Sequence, residues 1–413
     1  MIFFLTLKSL AQRKLSAFLC ILSIGLSVAL YLGVSRVKQQ AENSFMSTVS
    51  GVDLLVGARS GEINLILYSL FHMGSPLNNI RFSSYERIQQ MPEVAWTIPI
   101  SLGDSYHGFR VIGTNQDIFK HYKYGEKKPL SFQSGKGFQN LFEVVIGNEV
   151  ALSEKLKVGD PIHLAHGAGH ESLLEHDNIS FKVAGILTQT GTPMDRAVLA
   201  SLEAIEAIHL GWETGAPTDV PDQNQIKQEE LKPQAITSFL VSTKSKFQLL
   251  RLRHKLANFQ GEPLSAIIPG LALSKLWNLL ADVEKSLLVI SLCVLIVGIF
   301  SIIVSLINTL QARKKEIAVL RAIGASPKHI AGLFLVEGPV LTSMGIIFGI
   351  FLLAIVQIFL FPALAQNYQF QLNFKLVYSY ELPNIILFFG AGLLSGILPA
   401  ILAYKGSLQE SFQ

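Results

Sequence analysis

Charged side chains are scarce in this chain: Asp, Glu, Lys and Arg make up 15% of its 413 residues, while 50% are hydrophobic. That balance excludes an ordinary soluble globular protein, in which roughly a quarter of residues are charged. Cysteine is scarcer still. Cys20 and Cys293 are the two present, and both fall inside long apolar runs. No disulfide framework therefore braces the polar part of the chain, and cysteine usage says nothing of its redox compartment. A phosphate cradle is missing too: Gly-x-x-x-x-Gly-Lys-Ser/Thr does not occur, and Gly135-Lys136-Gly137 lacks both the spacing and the hydroxyl residue such a loop needs. No nucleophile–base pair or paired-carboxylate motif stands out, which leaves an enzyme reading without support.

What is present in quantity is long apolar sequence. Four runs, at 15–36, 286–310, 332–361 and 383–404, each hold the ~20 residues that an α-helix needs to cross hydrocarbon. The implied architecture is an α-helical membrane protein with four transmembrane helices and an α+β extracytoplasmic domain, residues 37–285, between helices 1 and 2. A short external loop is expected at 362–382 and a cytoplasmic tail at 405–413. Lys8, Arg13 and Lys14 precede the first run in the manner of a signal peptide. The run ends in Gly33-Val34-Ser35-Arg36 without a small-x-small cleavage site, so it reads as an uncleaved anchor. Phe18-Leu19 before Cys20 are too bulky for lipoprotein processing.

Orientation follows from where the cations sit. They precede the first run, fill the short segment between the second and third (Arg313, Lys314, Lys315, Arg321, Lys328), and follow the fourth (Lys405). The positive-inside bias makes these segments and both termini cytoplasmic and places 37–285 outside.

Within the external domain, β-like runs at 109–114, 143–146, 179–187 and 236–242 alternate with helical stretches at 83–90, 148–156, 201–209 and 245–259. Gly159-Asp160-Pro161 has turn chemistry, and the polar stretch 211–233 reads as a surface insertion. Segments 37–49 and 271–285 are expected to carry the first and second spans into the domain as stalk helices. Gly345-x-x-x-Gly349 and Gly392-x-x-x-Gly396 either let helices approach closely in lipid or reflect the general frequency of glycine in membrane helices. Glu337, at the start of the third run, is either a functional intramembrane carboxylate or a headgroup-level one.

The most informative segment is 311–331. Residues up to Ile323 favour helix, Gly324 can supply a left-handed cap, and Ser326-Pro327 supplies an N-cap followed by proline at the first helical position. A basic helical hairpin results. Its sequence, Arg313-Lys-Lys-Glu-Ile-Ala-Val-Leu-Arg-Ala-Ile-Gly-Ala-Ser326, resembles the signature of the MacB/FtsX/LolC-type ABC transporter permeases. Ser9–Leu15 is similar to the amphipathic entry helix of that superfamily, which would occupy 1–14 here and lead into the first span, and Pro399-Ala400 with Tyr404-Lys405 is similar to the end of its fourth span. The resemblance implies a stand-alone permease in a bacterial inner membrane, paired with a second copy and working with a separate ATPase that carries ATP and Mg²⁺. No cofactor is expected on the permease itself. ATPase coupling would then rest on Arg313, Lys314, Lys315, Glu316, Arg321, Gly324, Ala325, Ser326 and Pro327.

A second unusual stretch is rich in histidine. His163, His166, His170 and His176, with Asp177, lie close together in the external domain. The ligand chemistry suits Zn²⁺; the alternative is a solvated polar loop. This stretch and Gly191–Arg196 resemble loops of some stand-alone permeases. The function expected is ATP-driven export or mechanotransmission of a lipoprotein, a peptide or toxin, or a metal-related cargo, with a periplasmic or outer-membrane partner. The alternative is a non-transporting FtsX-like regulator that switches a periplasmic hydrolase.

Overall fold

A computed structural model describes residues 6, 10–11, 13–48, 50–167, 175–211, 223–226, 231–312, 317, 319, 324–368 and 375–409. The chain divides into two compact units, one spanning Ala41–Leu279 with Tyr368–Gln371, the other Met1–Gln40, Leu280–Asn367 and Leu372–Gln413.

The first unit is built on one mixed sheet of ten strands: β1 (Leu54–Ala58), β2 (Val94–Tyr106), β3 (Phe109–Thr114), β4 (Phe132–Gly135), β5 (Glu143–Ile146), β6 (Pro161–His166), β7 (Glu175–Leu187), β8 (Ala197–Ser201), β9 (Ser238–Thr243) and β10 (Leu264–Ile267). Their order is β10-β1-β9-β2-β3-β8-β5-β7-β4, and β6 pairs with β7 and β2. The β3–β8 and β5–β7 pairs are parallel and the others antiparallel.

Helices cover both faces. In chain order, α1 (Lys14–Thr48) is followed by α2 (Glu62–Leu70), α3 (Phe82–Gln89), α4 (Asp117–His121), α5 (Asn148–Ser153), α6 (Leu202–His209) and α7 (Lys246–Ala257). The period-two rule sorts the strand residues among three cores. Leu55 of β1 packs in the core with Leu65, Ile66 and Tyr68 of α2, whereas Leu54 and Val56 join Tyr85 and Ile88 of α3 and Leu252 and Leu256 of α7. A third core joins Val144 and Ile146 of β5 to Ala204 and Ile208 of α6. The helical stretches expected near 83–90, 148–156, 201–209 and 245–259 correspond to α3, α5, α6 and α7.

The second unit holds the rest of α1, together with α8 (Pro269–Ala312, which begins in the first unit), α9 (Pro327–Tyr368), α10 (Leu382–Ser395) and α11 (Ile397–Gln409). Four stretches are long and apolar enough to cross a membrane: Lys14–Thr48, Pro269–Ala312, Pro327–Phe359 and Ser379–Lys405. An α/β domain with a mixed sheet thus lies between the first and second.

Candidate functional site

The membrane unit is held together by small residues in its middle and by buried charge at its ends. A Cβ added to Gly25 would lie 3.2 Å from the Gly345 carbonyl oxygen, and one added to Gly349 would lie 2.6 Å from the Gly25 carbonyl oxygen. The first glycine pair singled out in the sequence therefore sits at the crossing of α1 and α9. The second serves α9 and α10, since a Cβ on Gly338 would meet the Gly392 carbonyl oxygen at 2.8 Å. These contacts need glycine, because close backbone approach is what brings lipid-embedded helices together.

At one end, Arg13 Nη2 lies 2.6 Å from Glu337 Oε1, and the Glu337 side chain is 5% exposed. Glu337 is thus a buried, ion-paired residue. At the other end Arg36, 1% exposed, makes a fork with Glu381, 0% exposed: Nε donates to Oε1 at 2.5 Å and Nη2 to Oε2 at 2.9 Å. Arg36 Nη1 also donates to Gln357 Oε1 at 3.0 Å and to the Lys375 carbonyl at 3.3 Å, and Nη2 donates to the Leu376 carbonyl at 2.8 Å. Glu381 Oε2 accepts the Tyr378 N–H at 2.9 Å, and the Tyr378 ring lies under the guanidinium at 5.2 Å. A bidentate pair with its remaining donors satisfied is the form in which a buried ion pair is tolerated. Arg13 and Arg36 are 23 residues apart, about 35 Å along a helix, close to the ~30 Å of the hydrocarbon core. The first pair ties Arg13, just before α1, to α9, and the second ties α1 to α9 and to the segment that opens α10, at a separation along α1 comparable with one span.

Of the expected coupling residues, Arg313, Lys314, Lys315, Glu316 and Arg321 lie outside the described residues. Gly324 adopts φ +101°, a left-handed conformation that favours glycine. Ala325 and Ser326 follow as a short connection, and α9 starts at Pro327. Ser326 accepts the His329 N–H on its carbonyl at 3.0 Å and meets His329 Nδ1 through Oγ at 2.6 Å. Gly324 thus makes a turn immediately before α9.

The histidine stretch is not a loop throughout. His163 lies exposed on β6 and pairs in register with Ser180, and His166 ends that strand. The backbones of His176 and Asp177 belong to β7, which begins at Glu175, four residues before the run expected from sequence. His170 and the side chains of His166, His176 and Asp177 lie outside the described residues. Among the described residues no group of three or more His, Cys, Asp and Glu side chains is gathered as for a metal.

Gly191–Arg196 forms a tight knot. Asp195 accepts from Thr190 N at 2.7 Å, Thr190 Oγ1 at 2.9 Å and Gly191 N at 2.7 Å. Burial pushes this carboxyl above the usual range, although the hydrogen bonds from Thr190 and Gly191 oppose the shift. Arg196 Nη1 reaches Glu149 at 2.7 Å and stacks its guanidinium over Phe109. The knot closes backbone groups of its own segment and reads as structural.

Arg36, Gln357 and Glu381 were not singled out by sequence. The one available signal was a pair of opposite charges flanking apolar runs, which many exposed residues share.

Comparison with known proteins places these features. The model for the MacB-like periplasmic core domain matches residues 17–255, and that for the FtsX-like permease C-terminal domain matches 288–411. The putative hemin transport system permease protein HrtB of Staphylococcus haemolyticus is 26% identical over 263 residues, 62% of this chain and 61% of that protein. The chain thus spans about three fifths of the relative's length. Among solved structures, the periplasmic region of MacB from Actinobacillus actinomycetemcomitans is 10% identical and aligns with a TM-score of 0.34 over 57% of this chain and 98% of that one. The extracellular domain of the noncanonic ABC-type transporter YknZ from Gram-positive bacteria is 14% identical, with a TM-score of 0.29 over 52% and 98%. With four apolar helices, an α/β domain between the first two, and both domain models matched in that order, the chain belongs to the MacB/FtsX family of ABC-type permeases.

Proposed function

We propose that the chain is the membrane subunit of an ATP-driven export complex in a bacterial inner membrane, with both termini cytoplasmic. Two permease copies bind two copies of a separate ATPase, which carries ATP and Mg²⁺. The segment 313–327 receives the nucleotide-driven motion, and α1 and α8 carry it to the external domain. Membership of an ABC-type permease family supports this reading, as does the distribution of Arg13, Lys328 and Lys405. The observation that carries it is the left-handed turn at Gly324 immediately before α9, in the segment between the second and third candidate spans.

Of the cargoes left open by sequence, a metal-bearing one is favoured by the hemin named for the relative from Staphylococcus haemolyticus. Such a cargo would pass to a periplasmic or outer-membrane partner.

The test is ATPase stimulation by the full-length permease in lipid nanodiscs with its cognate ATPase. Gly324→Val forces a β-branched residue into φ +101°. It should abolish stimulation while the protein still inserts, and charge reversal at Arg313 or Arg321 should do the same. Unchanged stimulation with all three variants would overturn the coupling assignment.

A further inference from the structure

Helix α7 turns an apolar ridge to the outside of the α/β unit. Ser245 caps it, its hydroxyl accepting the Gln248 N–H, and from there the helical period sorts the side chains. Leu249, Leu252 and Leu256 enter the core shared with α3 and the sheet. Phe247, Leu250, Arg251 and His254, at i, i+3, i+4 and i+7, share the opposite face. Phe247 is 81% exposed and Leu250 62%. A single exposed apolar side chain is ordinary on any protein surface. Two of this size, one turn apart at the start of one helix, make a continuous ridge.

The charge around that ridge has one sign. Residues 231–261 carry six Lys and Arg and no Asp or Glu. Five of the six, Lys244, Lys246, Arg251, Arg253 and Lys255, lie on α7 or just before it, and all five are exposed. The buried carboxylate of Glu93 holds Lys255 at 2.5 Å and lies 3.5 Å from Arg251. Lys244, Lys246 and Arg253 form no ion pair among the described residues. Beside the far end of α7, the Arg87 guanidinium of α3 lies over the Phe259 ring at 4.9 Å and adds a further cation to the same helical layer. The surface that complements this one is anionic, with an apolar interior within reach of two side chains.

We propose that this face of α7 docks on an anionic phospholipid surface, with Phe247 and Leu250 entering the boundary between headgroups and acyl chains and Lys244, Lys246, Arg251 and Arg253 at the phosphates. Interfacial helices combine these residue types in this way, and each Lys or Arg brought close to an anionic leaflet adds to the attraction. Long flexible stems suit phosphates whose positions are not fixed. A protein partner is the poorer match. A stable protein interface covers about 800 Å² on each side around a packed apolar core, and a convex ridge of two side chains offers neither. The proposal does not rest on the transport reading, because a bilayer can be met here whatever the complex moves.

The experiment uses the full-length protein in lipid nanodiscs, with Phe247→Trp as reporter and quenching by lipids brominated in their acyl chains as readout. Brominated phosphatidylglycerol is placed first in the disc that holds the chain and then in separate vesicles, and brominated phosphatidylcholine is the neutral control in each arm. The parent gives the background from Trp96, Trp212 and Trp277. Phosphatidylglycerol should quench Phe247→Trp beyond the parent's level in at least one arm, and phosphatidylcholine should not. Adding Lys246→Glu and Arg253→Glu should remove the excess, with circular dichroism unchanged because both positions are exposed. Should Phe247→Trp fail to fold, Leu250→Trp reports from the same ridge. No excess quenching in either arm, or equal quenching by the two lipids, overturns the proposal. If poly-glutamate then binds the chain and Lys246→Glu with Arg253→Glu abolishes that binding, the ridge belongs to an acidic protein surface instead.

Discussion

Replacing Glu381 by Gln tests the buried fork most directly. The change is nearly isosteric, so packing persists, but it leaves the Arg36 guanidinium, 1% exposed, without its counter-charge. An acceptor at 2.5 or 2.9 Å becomes an amide NH₂ facing another donor, and the Tyr378 N–H can lose its acceptor as well. Breaking one partner of a buried pair costs about 3–5 kcal/mol, whereas an exposed pair is worth about 0–1 kcal/mol. Unfolding of the detergent-solubilised protein, followed by denaturant titration, should therefore show Glu381→Gln destabilised by about 3–5 kcal/mol. The double variant Arg36→Met/Glu381→Met should recover most of that loss, because it removes both charges and keeps apolar volume. A loss below about 1 kcal/mol in the single variant would mean that water reaches the pair. A double variant as weak as the sum of its singles would mean that the carbonyl and Gln357 contacts, not the charge pair, carry the stability.

Gly349→Val should separate α1 from α9, because the new Cβ would lie 2.6 Å from the Gly25 carbonyl oxygen and 2.9 Å from Val28 Cβ. Overpacking of this kind costs about 1–3 kcal/mol, and thermal stability followed by size-exclusion should fall; an unchanged midpoint would refute the close crossing. In the α/β unit, burial and then the Arg110 cation hold His72 at a pKa of about 3 against an ordinary 6.5. Its folded pKa is depressed, so the unfolded state binds the proton first and stability falls as pH drops below 6.5 toward 3. Between pH 7.5 and 5.5 the loss is about 1.4 kcal/mol. His72→Asn, which tolerates the φ of +55° at that position, should abolish that part of the pH dependence in unfolding titrations. A variant with the same slope as the parent would place the effect elsewhere.

Much of the fold was legible where composition and period agree. The four apolar runs correspond to four helices long enough to span, and the strands at Phe109–Thr114 and Glu143–Ile146 coincide with runs of β-formers between turn residues. β1 and β8 escaped notice because every residue in them is buried. A strand covered on both faces shows no polar alternation, and a five-residue apolar run is ambiguous between helix and strand. β2 was hidden for the opposite reason. It contains Pro99 and Gly103, which argue locally against a strand, yet it runs for 13 residues because β9 pairs with its first half and β3 with its second. Tertiary pairing overrode local preference.

The site residues divide along the same line. Gly324 and Pro327 could be read from sequence because a left-handed cap and a helix start are local events, set by one residue and its neighbours. Arg36 and Glu381 are 345 positions apart. Nothing within a turn of either residue announces such a pairing. The Arg36 fork is costly to bury unless all its partners arrive together, so it can form only when α1, α9 and the segment before α10 have assembled. Glu337 meets Arg13 under the same condition, since Arg13 immediately precedes α1 and Glu337 lies on α9, the two helices that the glycine crossings bring together. These buried charges therefore depend on bundle assembly, and a lesion at Gly349 should weaken both pairs without touching either.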